Sequence, residues 1–264
     1  MKKGLFYLLV MILLGVFLFS GWKLLQYYQE IQSGEAVVEQ LYESAVATVP
    51  KREEQLRETI SDSTEKAETE PLPPEETAPV MVDFEVLWAE NEDVAGWLYC
   101  EDTKINYPVV QTENNSDYLY KLLDGRRNSG GTLFMDYRND PACTDWNTVI
   151  YGHSMKSGTM FGSLKEYRKQ EYYDAHPVWY YLTPEQNYKV ELIAGYVTNT
   201  ASVGYSFPMS KDQRDQFLEE CFRKSAFATE VKVAEEDVLM TFSTCSYEYD
   251  DARYILVGVL RKIG

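Results

Sequence analysis

The stretch Val238-Leu239-Met240-Thr241-Phe242-Ser243-Thr244-Cys245 is followed by Ser246-Tyr247-Glu248-Tyr249-Asp250-Asp251-Ala252 and then by Arg253-Tyr254-Ile255-Leu256-Val257. It reads as two β-strands joined by a polar loop, because apolar and β-branched residues fill both runs while carboxylates collect between them. Alternation along the first strand puts Leu239, Thr241, Ser243 and Cys245 on one face and Val238, Met240, Phe242 and Thr244 on the other. Cys245 therefore shares its side with hydroxyls, which suits a groove better than a core. If the loop closes an antiparallel pair, Arg253 stands opposite Cys245 and points to the same face.

That juxtaposition has chemical sense. A thiol with a reference pKa of ~8.5 is mostly protonated at neutral pH, and a neighbouring cation favours the thiolate. Attack on a carbonyl also needs an acid for the leaving group, and the chain has only two histidines. One of them, His153, follows the apolar strand Thr148-Val149-Ile150-Tyr151 in a Gly-His step. His153 could protonate a leaving amine while Arg253 holds substrate or stabilises an oxyanion. The other, His176 in Ala175-His176-Pro177, reads as a strand-entry residue. Spacing alone does not decide for catalysis, since a strand-end cysteine upstream of an arginine is common.

Outward from this pair, the pattern is that of a mixed domain rich in short strands. Strands are expected at Val94 to Tyr99, Ile105 to Gln111, Thr132 to Asp136, Thr148 to Tyr151, Val178 to Leu182, Tyr188 to Thr198, Val238 to Thr244 and Tyr254 to Leu260. About eight strands suit a closed or nearly closed barrel. Pro108 puts the second of them at an edge or a bulge. Helices are expected at Phe84 to Asn91 and Lys211 to Lys224. Ser210 and Gln213 form a capping box for the latter, and Phe217, Leu218, Cys221 and Phe222 share a face. The fold class is mainly β with peripheral helices.

The N-terminal end differs. Lys2 and Lys3 precede Gly4 to Trp22, an uncharged run long enough to cross a bilayer as a helix, and Lys23 closes it. The leading lysines favour a cytoplasmic N-terminus with everything after the span outside the cell. A cleaved signal peptide usually has a shorter apolar region and a small-residue cleavage site, which is not seen here. From Ser33 to Val80 carboxylates far outnumber basic residues, and the segment ends in Pro71-Leu72-Pro73-Pro74 and Pro79. This is expected to be a stalk, polar helix over Glu35 to Ile60 and extended at its proline-rich end. The resulting organisation is residues 1–32 for anchor and juxtamembrane segment, 33–81 for stalk and 82–264 for the catalytic domain.

Across the 264 residues, 45% hydrophobic and 14% aromatic content is ample for a packed core, and a formal charge of −17 with no basic cluster excludes a nucleic-acid partner. Of the four cysteines, Cys100 and Cys221 are expected as buried thiols and Cys143, in a polar loop, as an exposed free thiol. No C-x-x-C spacing and no EF-hand loop are present, so neither a metal nor a cofactor is expected.

Three segments sharpen the reading. Asn147-Thr148-Val149-Ile150-Tyr151-Gly152-His153-Ser154-Met155 with Met160-Phe161-Gly162-Ser163-Leu164, then Phe242-Ser243-Thr244-Cys245, then Asp251-Ala252-Arg253 resemble the sortases, class B most of all. The motifs occur in that family's order of histidine, cysteine, arginine, and the helix before the cysteine strand resembles a class B insertion. Phe242 stands where the commonest motif has leucine. The resemblance implies an eight-stranded sortase barrel and a transpeptidase whose catalytic residues are His153, Cys245 and Arg253. Cys245 would cleave a C-terminal sorting signal of secreted proteins, form a thioacyl enzyme, and pass the acyl group to an amine of a peptidoglycan precursor or of a pilin. By the same resemblance Asn115 and Leu119, in Asn115-Ser116-Asp117-Tyr118-Leu119, together with Tyr151 and Ser243, would line the sorting-signal groove. A thiol hydrolase using water and an inactive tethered binding module remain as alternatives. Glu248, Asp250 and Asp251 read as a solvated loop rather than as partners of His153.

Overall fold

A computed structural model describes residues 2–49 and 76–264. Its centre is a closed barrel built from eight strands: β3 (Val94–Tyr99), β4 (Asn106–Val110), β5 (Leu133–Met135), β6 (Asn147–Tyr151), β7 (Val178–Leu182), β8 (Asn187–Asn199), β9 (Leu239–Cys245) and β10 (Ala252–Ile263). Around the barrel the order is β10-β8-β7-β3-β4-β5-β6-β9, and β9 pairs with β10 to close it. Two neighbouring pairs, β4 with β5 and β6 with β9, are parallel, and the others are antiparallel. The eight expected strands are all present, with ends that shift by at most three residues.

Inward-facing residues fill the barrel. Phe242 of β9 lies with its ring 4.4 Å from Trp179 and 5.9 Å from Phe161, and Trp179, Phe161 and Phe242 are fully buried. Removing each large apolar side chain from water stabilises the fold by about 1.5–3 kcal/mol. The opposite face of β8, β9 and β10 is covered not by the short α3 (Gln170–Ala175) but by α4 (Lys211–Lys224), which sets Phe217 and Cys221 against Ile193, Leu239, Ile255 and Val257. Its capping box is formed as expected: Ser210 accepts from the Gln213 N–H and Gln213 accepts from the Ser210 N–H. Phe222, expected on the buried face, is half exposed, and the helix instead buries Arg214, whose guanidinium donates to the carbonyls of Ala234 and Asp237.

Three local expectations change for physical reasons. Pro108 sits inside the closed barrel, not at an edge of it; the short β5 pairs only with Val109 and Val110, so Pro108 lies beyond the end of that ladder. Cys143 is buried, because the Ala142 N–H donates to Asp140 and the Tyr188 hydroxyl donates to the Ala142 carbonyl, which folds the loop back and turns the thiol into the barrel core. The polar face of β9 is not open groove along its length: Leu239, Thr241 and Ser243 are buried and only Cys245 emerges.

The first helix, α1 (Lys2–Ala45), is continuous from the apolar run to the barrel, and among the described residues it alone is long and apolar enough to cross a membrane. Its last turns, expected as stalk, dock instead. Leu41 and Ala45 are buried against the domain, the Asn128 amide donates to the Glu30 carbonyl at 2.6 Å, and the Ser129 N–H donates to the Glu30 carboxylate at 2.7 Å. The chain then enters β1 (Val46–Thr48), which pairs with β2 (Val80–Val82) ahead of α2 (Phe84–Glu90). The stretch expected as helix up to Ile60 is thus strand from Val46, and the remainder to residue 75, including the first prolines of the Pro-rich run, lies outside the described residues.

Candidate active site

Three neighbouring strands bring the chemistry together. In the antiparallel β9–β10 ladder Cys245 is the direct partner of Arg253, as the loop length allowed. On the other side β6 runs parallel to β9 with Tyr151 beside Ser243. The pairing continues past the strand end, since the Gly152 N–H donates to the Ser243 carbonyl at 3.1 Å and the Thr244 hydroxyl donates to the Gly152 carbonyl at 2.7 Å. These bonds fasten the residue before His153 to the residue before Cys245. His153, Cys245 and Arg253 all line one cleft of about 440 Å³.

Gly152 is needed by packing rather than by backbone angle. A Cβ there would stand 2.4 Å from Leu133 Cδ2 and 2.7 Å from Phe161 Cδ2, inside the closest approach of real side chains. The absence of a side chain lets the histidine segment lie flat on the barrel core.

The histidine ring is oriented. His153 Nε2 lies 2.7 Å from the Leu119 carbonyl, which can only accept, so Nε2 carries the hydrogen and donates. The ring also packs against Tyr120, with centroids 5.4 Å apart and the planes tilted by 33°. Nδ1 is the nitrogen left for other partners. Cys245 is the one half-exposed thiol of the four, and burial pushes Cys100, Cys143 and Cys221 up to about 12. The Arg253 guanidinium gives one bond to the Ala252 carbonyl at 3.0 Å and, among the described residues, pairs with no carboxylate, which leaves donors free.

Asn115, Leu119, Tyr151 and Ser243, the expected groove residues, line the same cleft. Asn115 is committed to the wall: its Nδ2 donates to Asp136 at 3.0 Å and its Oδ1 accepts from the Tyr137 N–H at 3.0 Å. Ser116 is the N-cap of the short helical turn Asp117–Leu119, and just before it the Asn114 Oδ1 accepts from the N–H groups of Ser116 and Asp117. Asp136 is the hub. It is buried, takes two bonds of 2.8 Å from Arg138, and accepts from the Tyr151 hydroxyl at 3.0 Å. Burial raises its carboxyl, but the bonds from Arg138, Asn115 and Tyr151 outweigh that and hold it below the usual carboxylate range.

Sequence reasoning missed Asp136, Arg138 and Tyr205. Tyr205 lies in the turn Val203–Tyr205 before α4, stacks on Tyr151 at 6.3 Å and shares a 2.7 Å bond with the Ser243 hydroxyl. Burial pushes its phenol up to about 12 against the pull of Ser243 and Arg253. Nothing local marked it. Asp136 was visible as a carboxylate closing an apolar strand, two residues before an arginine. His176 stays out of the cleft, its ring centroid 4.6 Å from that of Tyr172 with the planes tilted, and Glu248 bonds Arg168 rather than His153.

A half-exposed thiol beside an unpaired arginine, one strand from an oriented imidazole, on a closed eight-stranded barrel, defines a cysteine-type acyl-transfer enzyme. The chain belongs to the sortase family: the family model for the sortase domain matches residues 98–261. It is 32% identical to Sortase B of Listeria monocytogenes over 259 residues, 96% of this chain and 95% of that one. With Sortase B of Staphylococcus aureus it is 30% identical over 267 residues, the whole of both chains. The crystal structure of sortase B from B. anthracis superposes with a TM-score of 0.68 at 30% identity, covering 90% of this chain and 99% of that one. The chain is therefore a class B sortase, a cysteine transpeptidase acting on sorting-signal substrates and cell-wall amine acceptors.

Proposed function

We propose that Cys245, His153 and Arg253 carry this transpeptidation, on a membrane-anchored enzyme whose catalytic domain faces outward. The observation that supports the assignment most is the ladder register that sets Arg253 directly across from Cys245 at the mouth of the cleft that His153 also lines. The Cys245 thiolate attacks the carbonyl carbon of the scissile bond in a sorting signal lying in the cleft, and the free N–H groups of Arg253 donate to the oxyanion. As the tetrahedral species collapses the C–N bond breaks, and the His153 imidazolium gives its Nδ1 proton to the departing amine. A thioester on Cys245 and a neutral imidazole remain.

The second half runs in reverse order. An amine of the cell wall attacks the thioester carbonyl, His153 takes the amine's proton, the C–N bond forms and the C–S bond breaks to return the thiolate. Atoms and protons balance over the cycle, with no metal or cofactor among the participants. Asn115, Leu119, Tyr151 and Ser243 shape the groove, with Asn115 acting through Asp136 and the Tyr137 N–H as part of the wall.

The test is mass spectrometry of the full chain, kept in detergent, mixed with a panel of sorting peptides and with triglycine or hydroxylamine. An active peptide gives a thioacyl adduct on Cys245 that disappears as an amine-bearing product forms. Cys245→Ala should form no adduct, and His153→Ala should acylate at least ~100-fold more slowly. A cleaved peptide that never appears joined to an amine, at any amine concentration, would instead identify a hydrolase.

A further inference from the structure

A second cleft meets the first at the thiol. It measures about 370 Å³ and is lined by Lys156, Lys165, Arg168, Tyr247, Glu248 and Tyr254, among others. The only residues it shares with the larger cleft are Thr244 and Cys245. Its charge runs against the rest of the molecule, because three cations face one carboxylate on a chain of formal charge −17. That carboxylate is already committed: Glu248 accepts from Ser246 and from Arg168, which together hold it at about 2. Glu166, beside Lys165 in the chain, bonds Lys169 at 2.9 Å. Lys156 and Lys165 are exposed and have no carboxylate partner among the described residues.

We propose that this cleft receives the acceptor, and that it selects an amine carried on a molecule that also bears a free carboxylate. The inference rests on the reading of Cys245 as the acylated residue. With the acyl chain in the larger cleft, the open approach to the thioester carbonyl is from the other side of Cys245. A cluster of positive charge there has two effects. It disfavours the ammonium form of an approaching amine and so favours the neutral, nucleophilic form, and it attracts an anion held elsewhere on the same molecule. A plain cationic amine is repelled by Lys156 and Lys165, whereas an amino acid or short peptide with a free carboxylate has something for them to hold. The step itself is the transfer already written, with the C–N bond formed, the C–S bond broken and the amine proton passed to His153.

The full chain in detergent is acylated with the donor peptide found active above, and the thioester is partitioned between water and acceptor. Two acceptor pairs are compared, Nα-acetyl-lysine with Nα-acetyl-lysinamide and triglycine with triglycinamide, each pair sharing one amine and differing in a carboxylate. The partition ratio is set after acylation, so it reads acceptor capture alone. At low ionic strength the carboxylate form is expected to be captured about three- to tenfold better, and the advantage should shrink as salt screens it. In the Lys156→Gln, Lys165→Gln double variant the two forms should be captured equally. Equal capture by the unmodified chain, or a preference that survives in the double variant, would overturn the proposal. Absence of any thioacyl adduct in the unmodified chain would instead remove the reading on which it stands, a result visible before any acceptor is added.

Discussion

Replacing Gly152 by alanine tests whether the histidine is positioned by core packing. Gly152 is not in the left-handed region, so alanine brings no backbone strain and the effect isolates one methyl group. That methyl would stand 2.4 Å from Leu133 Cδ2 and 2.7 Å from Phe161 Cδ2. Neither neighbour has room to retreat: both are fully buried, and the Phe161 ring lies between Phe242 at 5.9 Å and Trp179 at 6.3 Å. Overpacking a dense core costs about 1–3 kcal/mol. For a domain of this size each kcal/mol lowers Tm by roughly 2–4 °C, so a fall of about 2–12 °C is expected in a thermal melt. Relief by moving the backbone outward carries His153 with it, and a displacement near 1 Å costs on the order of 100-fold in rate. Acylation of Cys245 should therefore drop more steeply than stability alone explains at a temperature where the variant is folded. Adding Leu133→Val shortens the side chain that clashes most, and the double variant should be less destabilised than the two single changes summed. A Gly152→Ala protein with unchanged Tm and unchanged acylation would refute the reasoning.

Arg253→Lys should lower turnover by about 10- to 100-fold with charge retained, because an ammonium lacks the planar set of donors; full activity would remove the oxyanion role. Asp136→Asn should destabilise the fold by ~1–3 kcal/mol and raise the donor KM more than it lowers kcat, since Arg138, Asn115 and Tyr151 lose their common acceptor. The same carboxyl is held below its unfolded value, so its contribution is present above about pH 4 and is lost as pH falls through the folded pKa. Measured against pH, the stability difference between the native and Asp136→Asn proteins should shrink below pH 4; a constant difference would argue against it. A thiol reagent near pH 8 should modify one cysteine of four in the folded chain, Cys245, and all four after denaturation, because burial keeps the other three protonated far above that pH.

The pairing of Cys245 with Arg253 was legible because it depends on short-range rules: alternation fixed the face of Cys245, and loop length fixed the register of Arg253. The motif segment likewise carried His153. Tyr205 was not legible, since its contacts with Ser243 and Tyr151 exist only once the chain between β8 and α4 folds back over the barrel. Cys143 misled because its loop is polar, yet polar side chains can hold a turn whose one apolar member points inward. The docked end of α1 was hidden by composition. Ile31, Gly34, Val38, Leu41 and Ala45 recur at intervals of three and four, the spacing of one helix face, within a segment whose charge suggested a free stalk.

The continuity of α1 has a consequence for the substrate. With Gly4 to Trp22 in a bilayer, as proposed, Glu30 follows by eight residues, roughly 12 Å along the helix at ~1.5 Å per residue. Glu30 grips Asn128 and Ser129, and β5, the strand that follows them, contributes Phe134 to the cleft. The catalytic groove therefore stands at a set height above the lipid, as if on a rigid post instead of a cord. A protein whose tail is still embedded beside it can offer its scissile bond only if the spacer between bond and membrane matches that height. On that proposed topology the anchor would work as a ruler, selecting among tethered substrates by length before any side chain in the cleft reads their sequence.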